Sequence, residues 1–303
     1  MKRWVLFFLI NILIMVTLSI VASILGIGQY GGAYGLNYQS LMIFCLFWGM
    51  GGAFISLLLS KFMAKMFMRV QIVEERGPYS QLVSMVHRLA RKGGIEKMPE
   101  VGVYESPDVN AFATGATKNS ALVAVSTGLL QRMSQDEVEG VLGHEITHIT
   151  NGDMVTMTLV QGVVNAFVMF LSRVAAFALS NALRGDRDDN RRSSFGGGIM
   201  QLIMIHVFEI LFGLMALPIV AWFSRAREFR ADAGGARLAG KEKMIAALQR
   251  LKQTYPITAE VDNASSGMQT LQISSKSKLF KWISTHPDLD RRISALQKNE
   301  FAR

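Results

Sequence analysis

Two histidines four residues apart, with a glutamate directly after the first, form the group of residues in this chain best suited to chemistry. They lie in the segment His144-Glu145-Ile-Thr-His148. On an α-helix, positions i and i+4 share one face, so both imidazoles can reach a single Zn²⁺ ion. Glu145 is offset around the helix, where its carboxylate can take a proton from water at the metal and pass one to a leaving amine. The spacing predicts metal-assisted hydrolysis, with His144 and His148 as ligands and Glu145 as the catalytic carboxylate.

This chemistry requires a helix, and the sequence contains a start signal for one. Ser134-Gln-Asp-Glu137 has the pattern of a capping box, in which the two side chains satisfy the first free N–H groups of a helix. The alternative interpretation is a solvated helix face that carries two unrelated histidines. The single cysteine, Cys45, allows neither an internal disulfide nor a cysteine-built metal cluster, so any further ligand must be His, Asp or Glu.

The third ligand has to come from elsewhere in the chain. A histidine at position 154 would complete a three-histidine site, but that residue is methionine. The candidate is Glu228, in Ser224-Arg-Ala-Arg-Glu-Phe-Arg-Ala-Asp232. Asp232 shares a helical face with Glu228 and can accept the second N–H of a ligating histidine. An arginine- and acid-rich helix face that exchanges surface ion pairs is the alternative.

The composition favours a membrane protein, because 50% of the residues are hydrophobic and only 18% are charged. Residues 4–27 contain no charge and can cross a bilayer as a helix, and a second apolar segment spans about 41–60. The first segment is longer than the apolar core of a cleaved signal peptide. Both outer flanks of this hairpin are basic. The hairpin therefore places the N-terminus and the chain after Lys61 on the cytoplasmic side.

A second apolar pair, at about 154–183 and 199–223, is interrupted by polar residues. We favour a second membrane-spanning hairpin over helices that are re-entrant or partly buried against the protein, because both segments are long enough to span. An ion pair between Arg173 and Glu209 would lower the cost of burying both charges. The connecting loop carries charges of both signs, so it gives this hairpin no firm orientation.

The remaining chain has the mixed character of a soluble domain. Strands are predicted at 99–105 and 120–126 and helices at 80–93, 241–252 and 288–299, with a polar loop at 258–277. The two parts of the metal site lie on either side of the second hairpin. We therefore expect residues 66–153 and 224–303 to form one catalytic domain, into which 154–223 is inserted, after an N-terminal hairpin at 1–65.

Several motifs together closely resemble the HtpX family of bacterial membrane zinc endopeptidases. They are His144 to Asp153 with the following Met-Val-Thr-Met-Thr, Ser224 to Asp232, Asn110-Ala-Phe-Ala-Thr-Gly115 and Thr285-His286-Pro287. The likeness covers nearly the whole chain. It implies a gluzincin-type protease of the bacterial cytoplasmic (inner) membrane that takes part in quality control of damaged membrane proteins. It also implies one Zn²⁺ per chain, held by His144, His148 and Glu228, with Glu145 as the catalytic carboxylate.

The expected fold class is thus α+β: a predominantly helical membrane protein with two apolar helical hairpins and a cytoplasmic zincin-like catalytic domain that contains a small mixed β-sheet. Two further site hypotheses concern substrate. Asn110, Ala111, Phe112 and Ala113 would form an edge strand that pairs with an extended peptide, unless the strand is an inner one. His286 would donate to the oxyanion of the tetrahedral intermediate, unless it is a surface residue beside a helix.

The charge distribution limits the partners. The net charge is +9, but residues 1–70 contain no acidic residue and five basic ones, at the flanks of apolar segments. The sequence contains no dense stripe of Lys and Arg of the kind that binds nucleic acid, so we expect no nucleic-acid partner. The expected partners are membrane-protein or unfolded polypeptide substrates and the lipid bilayer, and the sequence predicts no oligomeric state. A metal-dependent membrane transporter and a non-catalytic zinc-held adaptor are the competing functions, and neither requires Glu145.

Overall fold

A computed structural model describes residues 35–184, 194–265 and 287–298, Gly31, Gly32 and the isolated positions 16, 20, 23 and 24, without the side chains of 194–197 and 255–265. The chain divides into two compact units. Residues 1–56 and 158–220 form the first unit, and residues 57–157 and 221–303 form the second.

Helices dominate the described chain. They are α1 (Tyr38–Phe67), α2 (Ser80–Lys92), α3 (Thr127–Arg132), α4 (Gln135–Asn151), α5 (Asp153–Arg184), α6 (Ser194–Ala239), α7 (Lys241–Ser265) and α8 (Leu289–Gln297). The strands are β1 (Gly31–Gly32), β2 (Gly35–Leu36), β3 (Gln71–Ile72), β4 (Glu100–Tyr104), β5 (Ala111–Thr114) and β6 (Leu122–Ser126). The predicted class is confirmed: the protein is an α+β, predominantly helical membrane protein with a small mixed sheet.

The sheet of the second unit has the strand order β3-β4-β6-β5. β4 and β6 run parallel, whereas β3 and β5 are antiparallel to their neighbours. All five residues of β6 are buried, and its side chains alternate between two apolar clusters because successive residues of a strand point to opposite faces. β5 lies at one edge of the sheet that the structure describes, whereas its pairing with substrate stays a prediction.

Helices α2 and α4 supply most of the core on one face of this sheet. The buried residues of α2 follow helical spacing, with Leu82, Val86 and Leu89 on one face. From α4, Leu142 and Ile146 are completely buried in the same cluster. Burial of each such side chain contributes roughly 1.5–3 kcal/mol, so this cluster fixes the position of α4 firmly.

Within the described part of the chain, three helices are long and apolar enough to cross a membrane: α1, α5 and α6. The predicted first span, residues 4–27, lies outside the described residues except for four isolated positions. The ion pair expected within the first unit is confirmed, since Arg173 Nη1 donates to Glu209 Oε1 over 2.9 Å. The guanidinium of Arg173 also lies 5.4 Å from the ring centre of Phe44. These contacts lower the cost of placing both charges among apolar helices.

The segment 224–232 lies on the same helix as the apolar segment before it, because α6 runs without a break from Ser194 to Ala239. Its composition changes from apolar to charged, but Arg, Ala and Glu are good helix formers and nothing there stops the helix. The loop predicted at 258–277 is wrong in its first part, because α7 is helical up to Ser265. Polar composition alone does not end a helix, and α7 continues through Pro256.

Candidate active site

Helix α4 carries the two histidines, and its ends are fixed by local sequence. The predicted capping box is confirmed: Ser134 N donates to Glu137 Oε2 over 2.7 Å, and Glu137 N donates to Ser134 Oγ over 3.4 Å. At the other end Gly152 adopts φ +68°, a left-handed conformation that favours glycine and terminates the helix. Apolar residues hold one face of α4 in the core, which leaves His144 and His148 together on another.

Three candidate ligands converge. His144 Nε2 and His148 Nε2 lie 3.1 Å apart, and they lie 3.6 and 3.4 Å from the two carboxylate oxygens of Glu228. A tetrahedral ion with bonds of about 2.1 Å has neighbouring donors about 3.4 Å apart. The donor set therefore fits one divalent ion, and it consists of the two imidazoles and one carboxylate that the sequence singled out.

Each histidine has its own carboxylate on the other side of the ring. His144 Nδ1 lies 2.9 Å from Asp232 Oδ1, and His148 Nδ1 lies 2.6 Å from Asp153 Oδ2. Both aspartates are buried. An Nδ1–H that donates to a carboxylate leaves the Nε2 lone pair free for a metal. The pairing of Asp232 was expected from the sequence, whereas that of Asp153 was not.

Sequence reasoning also missed Arg292, on α8. Its Nε and Nη2 donate to the two carboxylate oxygens of Asp232 over 2.7 and 2.6 Å, and its Nη1 lies 3.5 Å from Glu228. One signal was present in the sequence: Arg292 lies three residues after Leu289 and four before Leu296, on the apolar face of an amphipathic helix. An arginine at such a position is buried and needs a buried carboxylate.

The electrostatics of the two imidazoles reflect these contacts. Burial alone would lower the pKa of His144, but hydrogen bonds to Asp232 and Glu228 outweigh it and raise that pKa above its usual value. Burial is likewise outweighed at His148, where hydrogen bonds to Asp153 and Glu228 raise the pKa to about 9. Since a ligating imidazole must be neutral, protons and a metal ion compete for the two Nε2 atoms.

A cavity of about 1670 Å³ lies beside these residues. Its lining includes Glu145, His144 and Glu228, together with Asn110 and Ala111 from the start of β5. Its apolar lining includes Leu129, Val141, Met244, Leu248 and Leu251. The cavity thus brings the candidate catalytic carboxylate of Glu145, two of the metal-binding candidates and the start of β5 to one space large enough for several residues of a peptide.

Two other residues that were predicted to contact substrate, Phe112 and Ala113, do not line this cavity in the part of the chain that the structure describes. Phe112 packs on the other face of the strand, with its ring centre 5.7 Å from that of Tyr104. His286 lies outside the described residues, although the next residue, Pro287, lines the cavity.

Comparison with known proteins agrees with this geometry. The family model described as Peptidase family M48 matches residues 78–300. The chain is 48% identical to Protease HtpX of Tolumonas auensis, over 98% of this chain and 99% of the relative, and 48% identical to Protease HtpX of Escherichia coli K12, over 99% of both. A Protease HtpX homolog of Verminephrobacter eiseniae is 50% identical over 98% of each chain.

A solved structure supports the fold. The crystal structure of S. mikatae Ste24p superposes with a TM-score of 0.64 at 18% identity, covering 98% of this chain and 66% of that one. At this identity the likeness concerns the fold alone.

The fold and the site define a membrane metalloendopeptidase, a protease that acts on polypeptide substrates. The chain belongs to peptidase family M48 and, within it, to the HtpX family, which confirms the resemblance found in its motifs.

Proposed function

We propose that the protein is a zinc-dependent endopeptidase of the bacterial cytoplasmic membrane that cleaves extended segments of unfolded or damaged membrane proteins. One observation carries the proposal. The Nε2 atoms of His144 and His148 and the carboxylate of Glu228 lie within 4.8 Å of one another, and Glu145 lines the same cavity. Two imidazoles and a glutamate form the ligand set of many catalytic zinc sites, which favours Zn²⁺ over Mg²⁺ or Ca²⁺.

His144, His148 and Glu228 would hold the ion, and Asp232 would orient His144. When bound, Zn²⁺ supplies a Lewis acid that polarises the scissile carbonyl. The chain itself supplies the proton transfers. The carboxylate of Glu145 accepts a proton from the attacking water and returns it to the nitrogen of the leaving amine. His286 would donate a hydrogen bond to the developing oxyanion.

Strand β5 offers a binding surface for the substrate backbone. Ser126 N donates to Asn110 O over 2.9 Å, so the backbone of residue 110 faces β6. Backbone groups alternate along an antiparallel strand, and the backbone groups of Ala111 and Ala113 therefore face the free edge. We propose that they pair with an extended substrate, which would make recognition depend on backbone more than on side chains.

We also propose a topology. The basic flanks of the first apolar hairpin support an N-terminus and a catalytic domain on the cytoplasmic side. In this arrangement residues 66–153 and 224–303 form the catalytic domain, and residues 154–223 form an inserted second hairpin. Green fluorescent protein fused to the C-terminus should fluoresce, because it folds in the cytoplasm but not after export. A dark fusion with an active alkaline phosphatase at the same position would contradict the topology.

The proposed proteolytic function is tested by comparing the unsubstituted protein with Glu145→Gln, both purified in detergent. We expect one zinc per chain in both, with digestion of unfolded casein only by the unsubstituted protein. Undiminished digestion by Glu145→Gln would refute the role of Glu145. In cells, loss of function with Glu145→Gln supports a protease, whereas a zinc-held adaptor or a transporter would keep its function.

A further inference from the structure

The contact between His148 and Asp153 links the candidate metal site to an apolar helix. Asp153 is the first residue of α5, and Gly152, which ends α4, is the only residue between the two helices. The left-handed conformation of Gly152 turns the chain so that the Asp153 carboxylate lies 2.6 Å from His148 Nδ1. Only 3% of the surface of Asp153 is exposed, so water competes little for this hydrogen bond.

The carboxylates behind the two histidines differ in their surroundings. Asp232 is shared, because Arg292 donates hydrogen bonds to both of its carboxylate oxygens, including Oδ1, which faces His144. Arg292 thereby neutralises much of the charge that Asp232 presents to the imidazole. Among the residues that the structure describes, no lysine or arginine forms an ion pair with Asp153, and His148 is the charged or polar partner of its carboxylate.

From this difference we propose that Asp153 is a positioning residue that holds the Nδ1–H tautomer of His148 and strengthens its Nε2 as a metal ligand. A carboxylate behind a histidine raises the basicity of the ligand and fixes the direction of the ring. The inference rests on the proposed metal site. It also means that the first residue of a membrane-crossing helix contributes directly to that site.

A competing explanation is that Asp153 serves only as an acidic residue at a helix N-terminus. The chain offers a matched control, because Glu242 occupies the first turn of α7 and is exposed. The key substitution is Asp153→Asn, which keeps the size and an acceptor oxygen but removes the charge. Asp153→Ser is a second variant of this kind, since serine is also favoured where helices begin.

The test measures zinc affinity of the full-length protein in detergent by competition with a chromogenic chelator. We expect Asp153→Asn and Asp153→Ser to weaken zinc binding by about 10- to 100-fold, the usual effect of losing such a partner. Glu242→Gln should bind zinc within about twofold of the unsubstituted protein, since Glu242 is exposed and lies on a different helix from the three candidate ligands. The absorption spectrum of the Co²⁺-loaded protein should change with Asp153→Asn and not with Glu242→Gln.

The inference would be overturned if both Asp153 variants bound zinc within twofold of the unsubstituted protein and the Co²⁺ spectrum were unchanged. That result would leave the proposed protease function intact. Thermal unfolding of the metal-free proteins separates the two explanations further. A residue that acts only at the helix start would lower the unfolding temperature of the metal-free protein without changing zinc affinity. Absence of zinc binding in the unsubstituted protein would overturn the proposed function and this inference together.

Discussion

Substitution of Arg292 by methionine probes the buried charges behind His144. Methionine fills a similar volume but removes the guanidinium that donates two hydrogen bonds to Asp232. Asp232 is completely buried, so the substitution leaves a buried carboxylate with His144 as its one remaining partner among the described contacts. Breaking a buried ion pair by removing one member costs about 3–5 kcal/mol. We expect the free energy of unfolding to fall by that amount.

The loss is measurable as a fall in unfolding temperature. For a domain of 150–250 residues, 1 kcal/mol corresponds to about 2–4 °C, so Arg292→Met should lower the unfolding temperature by roughly 6–20 °C in differential scanning fluorimetry. Removing both charges, with Asp232→Asn and Arg292→Met together, should cost less than the sum of the two single changes, because neither charge is then left alone.

Arg291 provides the control. It is adjacent to Arg292 but exposed, and its guanidinium lies 5.6 Å from the ring centre of Phe229. Arg291→Met should cost at most about 1 kcal/mol, the value of an exposed cation–π contact. Equal shifts for the two substitutions, or additive effects in the double variant, would refute the assignment of Arg292 as the buried partner of Asp232.

Three further predictions follow from other contacts. Ala113→Pro removes a backbone N–H that faces the free edge of β5, so digestion of unfolded casein should fall at least about tenfold, with zinc content and unfolding temperature unchanged. The control Ala113→Val keeps this N–H and should cleave casein normally. Normal cleavage by Ala113→Pro would exclude backbone pairing at this position. Burial raises the pKa of Glu139, but hydrogen bonds from Lys243 and Arg88 outweigh it and hold the pKa below its usual value. Ionised Glu139 therefore stabilises the folded protein at any pH above its pKa in the unfolded chain, and this stabilisation is lost as the pH falls through its pKa in the folded protein. In thermal unfolding, Glu139→Gln should be less stable than the unsubstituted protein at pH 7, and the difference in stability should shrink below about pH 4. A difference in stability that does not change with pH would argue against the ion pairs. Arg173→Met should lower the unfolding temperature in detergent more than Arg173→Met combined with Glu209→Gln, because only the single change leaves an unpaired charge among apolar helices; the reverse order would show that the pair is not coupled.

The parts of the site that the sequence predicts are those with a local pattern. The capping box at Ser134 and the four-residue spacing of His144 and His148 act within one helix, and both are realised in α4. Glu228 and Asp232 also share a helix, but spacing alone did not separate a ligand from a surface ion pair. Their position at the site depends on the packing of α6 against α4, which brings together residues more than 80 positions apart in the chain, such as His144 and Asp232.

The parts that were missed depend on the chain reversing direction or on distant packing. Asp153 is close to His148 in sequence, but their contact requires the left-handed turn at Gly152, and a continuous helix would have separated them. Arg292 meets Asp232 across 60 residues. The loop predicted from residue 258 is wrong up to Ser265, because polar composition does not by itself end a helix and α7 continues through Pro256.

The central claim is that His144, His148 and Glu228 hold one divalent ion. The most direct measurement is the zinc content of purified His144→Ala, His148→Ala and Glu228→Ala by mass spectrometry of metals, in a Glu145→Gln background that prevents self-cleavage. We expect one zinc per chain in the background protein and little or none in each alanine variant. Full zinc content in any of the three alanine variants, in protein that remains folded, would contradict the claim.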